Sequence, residues 1–140
     1  MILLDTNILL RSKQPNSLHH QEVTEKLIDF ASNDNKLLIC PQVIYEFYVV
    51  ATRPQESNGL GCSTADARDE VDNILGTYTL LEDSGKIFNK WRELVVKYEV
   101  KGKTVHDARL VAFMQAHQIK KLYTINKKDF KRYSDIIELV

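Results

Sequence analysis

The chain has 140 residues, 44% of them apolar and 27% charged, and its 19 basic and 19 acidic side chains cancel to a net charge of zero. That length suits one domain, residues 1–140, able to bury roughly 70% of its unfolded surface. Neutrality excludes a large positive field that coats nucleic acid indiscriminately, so a nucleic-acid site here would depend on a local metal or local basic residues.

In chain order, Ile2–Leu4 reads as a strand that runs directly into Asp5. Leu18 to about Ser32 has helical spacing, with Val23, Leu27, Ile28 and Ala31 on one face. Lys36–Cys40 is a second strand, and Pro41 suits the first turn of a helix reaching about Thr52. Arg53–Gly61 is rich in turn residues and reads as an exposed loop within the domain. Ser63 or Thr64 caps a polar helix to about Leu75, and Tyr78–Leu81 is a third strand. Ser84 caps a helix in which Ile87, Trp91, Leu94, Val95 and Tyr98 recur at helical spacing. After a Lys/Gly turn at Val100–Lys103, a helix runs from about Val105 to His117. Lys121–Ile125 and Ile136–Val140 are the fourth and fifth strands. Strands alternating with helices imply parallel pairing through right-handed crossovers. The expected architecture is a three-layer α/β/α sandwich around a parallel sheet of about five strands, with the strand order left open.

Cys40 and Cys62 form neither a metal-binding nor a redox spacing and are expected to stay reduced. No apolar run approaches the ~20 residues of a membrane span, and Met1–Leu4 is too short for a signal segment, so no membrane association and a cytoplasmic location are expected.

Asp5 is the most informative residue. A strand that delivers a carboxylate to the edge of a core incurs a desolvation cost that donors or a cation must offset. In open parallel sheets, ligands bind at the carboxyl ends of the strands. Three further sites are candidates to join it there. Glu46 shares the helical stripe of Val43 and Val50, where it either snorkels and pairs or serves a site. Asp107 follows Thr104 at capping-box spacing, which accounts for it as a cap without excluding a functional role. Asn126 occupies the same kind of strand-end position as Asp5, and Asp129 either caps a short helix, Phe130–Tyr133, or adds charge to the cleft. Carboxylates gathered in one crevice repel one another, and a divalent cation removes that conflict. Oxygen ligands favour Mg²⁺ or Mn²⁺, and such ions support phosphoryl chemistry.

The strand ending in Asp5-Thr6-Asn7, the helix bearing Glu46, the segment His106–Ala112 and the tail Leu122–Phe130 together resemble PIN domains, most of all the VapC-like toxin ribonucleases of toxin–antitoxin pairs. The resemblance spans nearly the whole chain. It implies an endoribonuclease dependent on Mg²⁺ or Mn²⁺, with one or two ions per site, that leaves a 5′-phosphate and a 3′-hydroxyl. Asp5, Glu46 and Asp107 match the family's acidic catalytic and metal positions. Thr6 and Asn7 match the turn that orders the first aspartate, and Thr124 the hydroxyl residue at the end of the fourth strand. Asn126 departs from the pattern, standing where many relatives carry a fourth aspartate, so that it and Asp129 are secondary candidates for metal binding. The resemblance also implies an RNA substrate, a small antitoxin partner and a homodimer. Arg109, Lys127 and Lys128, with Lys101 and Lys103, are candidate phosphate contacts. Tyr45, Tyr48 and Val49 are candidates for a partner contact, or for the core.

Two other function classes stay open at this point. A PIN-like module that binds RNA or protein without cutting is favoured by Asn126 alone. A phosphotransfer enzyme would carry a second aspartate at position 7, where this chain has Asn7.

Overall fold

Ile2, Leu3 and Leu4 are all buried, as a strand covered on both faces requires. They form β1 (Ile2–Leu4), the middle strand of the sheet in the computed structural model, which describes residues 1–140. The remaining strands are β2 (Leu37–Ile39), β3 (Thr79–Leu80), β4 (Lys121–Tyr123) and β5 (Glu138–Leu139). Their order is β3-β2-β1-β4-β5 and every pairing is parallel. The helices are α1 (Thr6–Ser12), α2 (His20–Ser32), α3 (Pro41–Thr52), α4 (Thr64–Thr77), α5 (Ile87–Lys97), α6 (Val105–Ala116) and the single turn α7 (Lys127–Phe130).

From β1 the chain steps outward through β2 to β3, then returns across the sheet to β4 and β5. The order therefore reverses between β1 and β4, and a crevice opens beyond the carboxyl ends of these two strands. Right-handed crossovers running in opposite directions place their helices on opposite faces. The packing agrees with this: α1 touches α2 and α3, α3 touches α4, and α5 lies along α6. The expected three-layer α/β/α arrangement is present. Helix α6 buries Leu110, Val111, Ala112, Phe113 and Met114 in succession. A helix that is apolar all round belongs in an interior layer.

Several local expectations change. Helix α1 was not anticipated. Its apolar run Ile8-Leu9-Leu10 is wholly buried and so lacks the polar face that marks a helix by periodicity. Helix α2 begins at His20 and leaves Leu18 99% exposed, and its Ile28 and Ala31 face outward, so the core stripe is Val23, Leu27 and the partly buried Phe30. Tyr45, Tyr48 and Val49 are exposed on α3 and do not contribute to the core. Pro41 does open α3, and the Ser63 hydroxyl does cap α4 by accepting the Asp66 N–H at 3.1 Å. The Ser84 hydroxyl accepts the N–H of Lys86, one residue ahead of α5, and does not cap the helix; its carbonyl accepts the Ile87 N–H.

The capping box at Thr104 is not formed. Its hydroxyl donates backward to the Lys101 carbonyl at 2.7 Å instead, which leaves Asp107 free of a capping duty. Asp129 caps nothing either: it lies inside α7, one turn earlier than expected, and a 3-10 turn, Lys131–Tyr133, follows. The Arg53–Gly61 loop is tied back onto α3, with the Leu60 and Cys62 N–H groups donating to the Val50 and Ala51 carbonyls. A side chain at Gly59 would collide with the Arg53 carbonyl. Both cysteines are free thiols, and burial pushes that of Cys40 up to about 12. No helix is long and apolar enough to cross a membrane.

Candidate active site

Strand β1 ends at Leu4, paired with Tyr123 of β4, so the next residues in register are Asp5 and Thr124. That register brings the two ends of the chain together at the crevice. Asp5 is the N-cap of α1 and is 8% exposed. Its Oδ1 accepts the Thr6 N–H at 2.8 Å. Its Oδ2 accepts the Thr124 hydroxyl at 2.7 Å and the Asn7 amide at 3.0 Å. Asn7 also donates to the Thr124 hydroxyl oxygen at 3.2 Å, and its own carbonyl accepts the Ile125 N–H at 3.2 Å. The Asn126 N–H donates to Thr124 as well, at 3.0 Å. Asp5, Asn7 and Thr124 thus form a closed hub with every hydroxyl and amide group used.

This register corrects one expectation. Thr124, not Asn126, is the strand-end partner of Asp5. The Asn126 side chain is exposed and makes no capping bond; only its backbone joins the hub.

Thr6 couples the hub to α3. Its backbone serves Asp5, while its hydroxyl donates to Glu46 Oε2 at 2.7 Å. Gln42, one turn earlier on α3, donates to Glu46 Oε1 at 3.0 Å and to the His106 carbonyl at 2.8 Å. Arg109 donates to the Gln42 side-chain carbonyl at 3.2 Å and to Asp83 at 3.0 Å. Gln42 therefore stitches α3 to the N-terminus of α6 and holds Glu46 in place. Sequence reading missed it, although a glutamine four residues before a glutamate on a helix is a recognisable i,i+4 pair. Asp83 was also missed. It occupies the Arg109 guanidinium, so Arg109 braces α6 and is not a free cation.

Asp107 lies in the first turn of α6. Burial, then the charges of Asp5, Asp129 and Glu46 in that order, push its carboxyl up to about 6, with His106 opposing. Asp5 is also raised, chiefly by burial, against the hydrogen bonds from Thr124 and Thr6. Asp5, Glu46 and Asp107 therefore share one field from three separate elements, and exposed Asp129 contributes from α7. His106 projects to the exterior, as do Lys127 and Lys128, which form no ion pair.

No three His, Cys, Asp or Glu side chains come close enough to cage an ion by themselves. The donor set nevertheless suits a hard cation that keeps several waters and is completed by substrate oxygens. A carboxylate offers about four acceptor positions. Asp5 Oδ1 keeps one after its single bond, and Asp107 keeps all of its own. Negative charges held together at a raised pKa are what a cation relieves.

No curated protein matches the chain significantly. Solved structures do match its fold from end to end. VapBC2 from Rickettsia felis, bound to a DNA fragment from its promoter, superposes with a TM-score of 0.74 at 22% identity, covering 100% of this chain and 99% of that one. VapC20 of Mycobacterium tuberculosis, a sarcin–ricin loop cleaving toxin, gives 0.71 at 14% identity, covering 99% and 97%. FitAcB from Neisseria gonorrhoeae gives 0.68 at 13% identity, covering 99% and 96%. At these identities the likeness is one of fold. The PIN-domain family profile matches residues 2–136, and the chain belongs to the PIN-domain family.

Proposed function

We propose that this protein is an endoribonuclease that hydrolyses RNA phosphodiester bonds with Mg²⁺ or Mn²⁺, acting as the toxin of a toxin–antitoxin pair. The observation that carries the reading is the convergence of Asp5, Glu46 and Asp107 from β1, α3 and α6 on the crevice where the strand order reverses. Keeping three repelling carboxylates together opposes folding, and a cation supplied with the substrate offsets that cost.

In this reading Asp5 and Asp107 would hold the cation, and Asn126 and Asp129 are secondary candidates. The ion, when bound, supplies the charge that eases ionisation of a water and stabilises charge developing on the phosphate. Glu46 orients a water for in-line attack. Thr6 and Gln42 leave each of its oxygens one further acceptor position, and they fix the carboxylate's direction. The hub of Asn7 and Thr124 prevents Asp5 from turning away. Lys127 and Lys128 follow β4 at the start of α7, are exposed and form no ion pair, and each is suited to a phosphate of the strand. A structural relative from Klebsiella pneumoniae crystallised as a toxin–antitoxin complex supports a small protein partner for this chain too. The exposed Tyr45, Tyr48 and Val49 of α3 offer an apolar face for a homodimer.

The deciding experiment is cleavage of a mixed RNA pool with Mg²⁺, Mn²⁺ or EDTA, comparing the wild type with Asp5→Asn. Cutting that requires metal and disappears in Asp5→Asn is expected. Folded protein that cuts nothing with either metal would replace this reading with a binding module.

A further inference from the structure

On α5, Phe88 is 65% exposed yet stacks on Trp91, with ring centroids 6.0 Å apart and planes 20° from parallel. Trp91 is anchored, because its indole N–H donates to the Val105 carbonyl at 2.9 Å. The Arg92 guanidinium sits 5.9 Å from the centre of the Phe88 ring. Between α5 and the start of α6 lies a groove of about 470 Å³ lined by Phe88, Trp91, Val105, His106 and Arg109. His106 and Arg109 bracket Asp107, so the groove opens beside the carboxylate crevice. From Glu82 to Arg109, a span that includes the paired Asp83 and Arg109, the chain carries seven basic residues against five acidic ones, a local excess of two in a molecule of zero net charge.

We propose that this groove is a base-stacking subsite, in which a nucleobase of single-stranded RNA lies against Phe88 while neighbouring cations hold the strand's phosphates; the assignment rests on the nuclease reading above. An exposed ring fixed against a second, anchored ring offers a preformed flat surface, and stacking uses such surfaces with little demand on sequence. The volume has room for a base together with its sugar and phosphate, within the range of small-molecule sites. Arg92, whose guanidinium lies over the Phe88 ring and forms no ion pair, matches a polyanion better than an apolar peptide, which would leave that cation without a partner. The subsite would set how far from the crevice the strand is gripped.

Trp91 is the only tryptophan in the chain, so its fluorescence reports on this groove alone. The test titrates wild-type protein in EDTA with a short single-stranded oligoribonucleotide of mixed sequence. Saturable quenching is expected, and none with an abasic oligomer of equal length or with inorganic phosphate. Phe88→Ala is expected to weaken the titration about 5- to 100-fold, and Phe88→Tyr to restore it. Since Phe88 is exposed, neither change endangers the fold. Binding without quenching, or quenching indifferent to Phe88→Ala, overturns the subsite. RNA cutting with Mg²⁺ or Mn²⁺ but no quenching keeps the nuclease and removes the subsite, leaving the aromatic pair to a protein partner. Quenching with no cutting under either metal removes the nuclease and keeps the groove as an RNA-binding surface.

Discussion

Asp5 and Asp107 face one crevice and are built in opposite ways. Asp5 sits at the junction of β1, α1 and the end of β4, receiving three donors from residues that are themselves tied to one another. Asp107 opens α6 with no hydrogen bond to either oxygen, although burial and three neighbouring carboxylates disfavour its charge. Half of the site is over-determined by the fold, and half is held in readiness against its own electrostatics. A crevice that fixes one carboxylate and leaves another open is suited to a group that arrives from outside.

Stability measurements in EDTA are the sharpest way to break this contrast. Asp5→Ala strips acceptors from the Thr124 hydroxyl, the Asn7 amide and the Thr6 N–H, and is expected to cost about 1–3 kcal/mol in urea denaturation. Asp107→Asn is expected to raise stability, by up to about 1 kcal/mol once solvent screening at a half-exposed position is discounted. If both substitutions move stability in the same direction, the contrast fails.

The pH dependence should follow the same division. The folded Asp107 carboxyl takes up its proton near pH 6, whereas the unfolded one does so near its ordinary value of 3.8. Between these values the folded state binds more protons, so this group makes the metal-free protein more stable as pH falls from about 6 to about 4. The difference in stability between Asp107→Asn and the wild type should therefore shrink over that interval. A constant difference would mean that Asp107 is not held under repulsion.

Smaller effects sharpen the hub. Asn7→Ala removes two donors from Asp5 and Thr124, and metal-dependent cleavage is expected to fall about 10- to 100-fold, with Asp5 still present. Asn126→Asp is expected to leave stability within about 0.5 kcal/mol, because the side chain is exposed and unbonded. It should also lower the Mn²⁺ concentration needed for half-maximal cutting. An unchanged requirement would place position 126 outside the ion's reach.

Much of this molecule was legible in its residues. Alternating strands and helices implied the parallel sandwich, Pro41 and Ser63 marked two helix starts, and the apolar run that ends in Asp5 implied a carboxylate at the edge of the core, where it lies. Helix ends were legible too: α2 stops at Ser32 and α3 at Thr52 as expected, and α6 at Ala116, one residue short, although α2, α5 and α6 are followed by Asp34, Glu99 and Gln118 in left-handed conformation with no glycine to flag the stop. Helix α1 escaped because burial on all sides erases periodicity. The capping box at Thr104 was a false signal, since a hydroxyl can bond backward to a carbonyl as easily as forward to an amide.

Composition and local pattern, then, determined which segments are apolar, where charge interrupts them and which acids need a partner, because these depend on residue type and on neighbours along the chain. Tertiary structure decided the rest. Strand order and register joined Asp5 to Thr124 across the length of the chain, and the meeting of α3 with the N-terminus of α6 through hydrogen bonds let Gln42 hold both Glu46 and the His106 carbonyl. It also showed that Arg109 is engaged by Asp83 while Phe88 is left bare. Those outcomes depend on through-space pairings between residues far apart in sequence, and no local pattern encodes them.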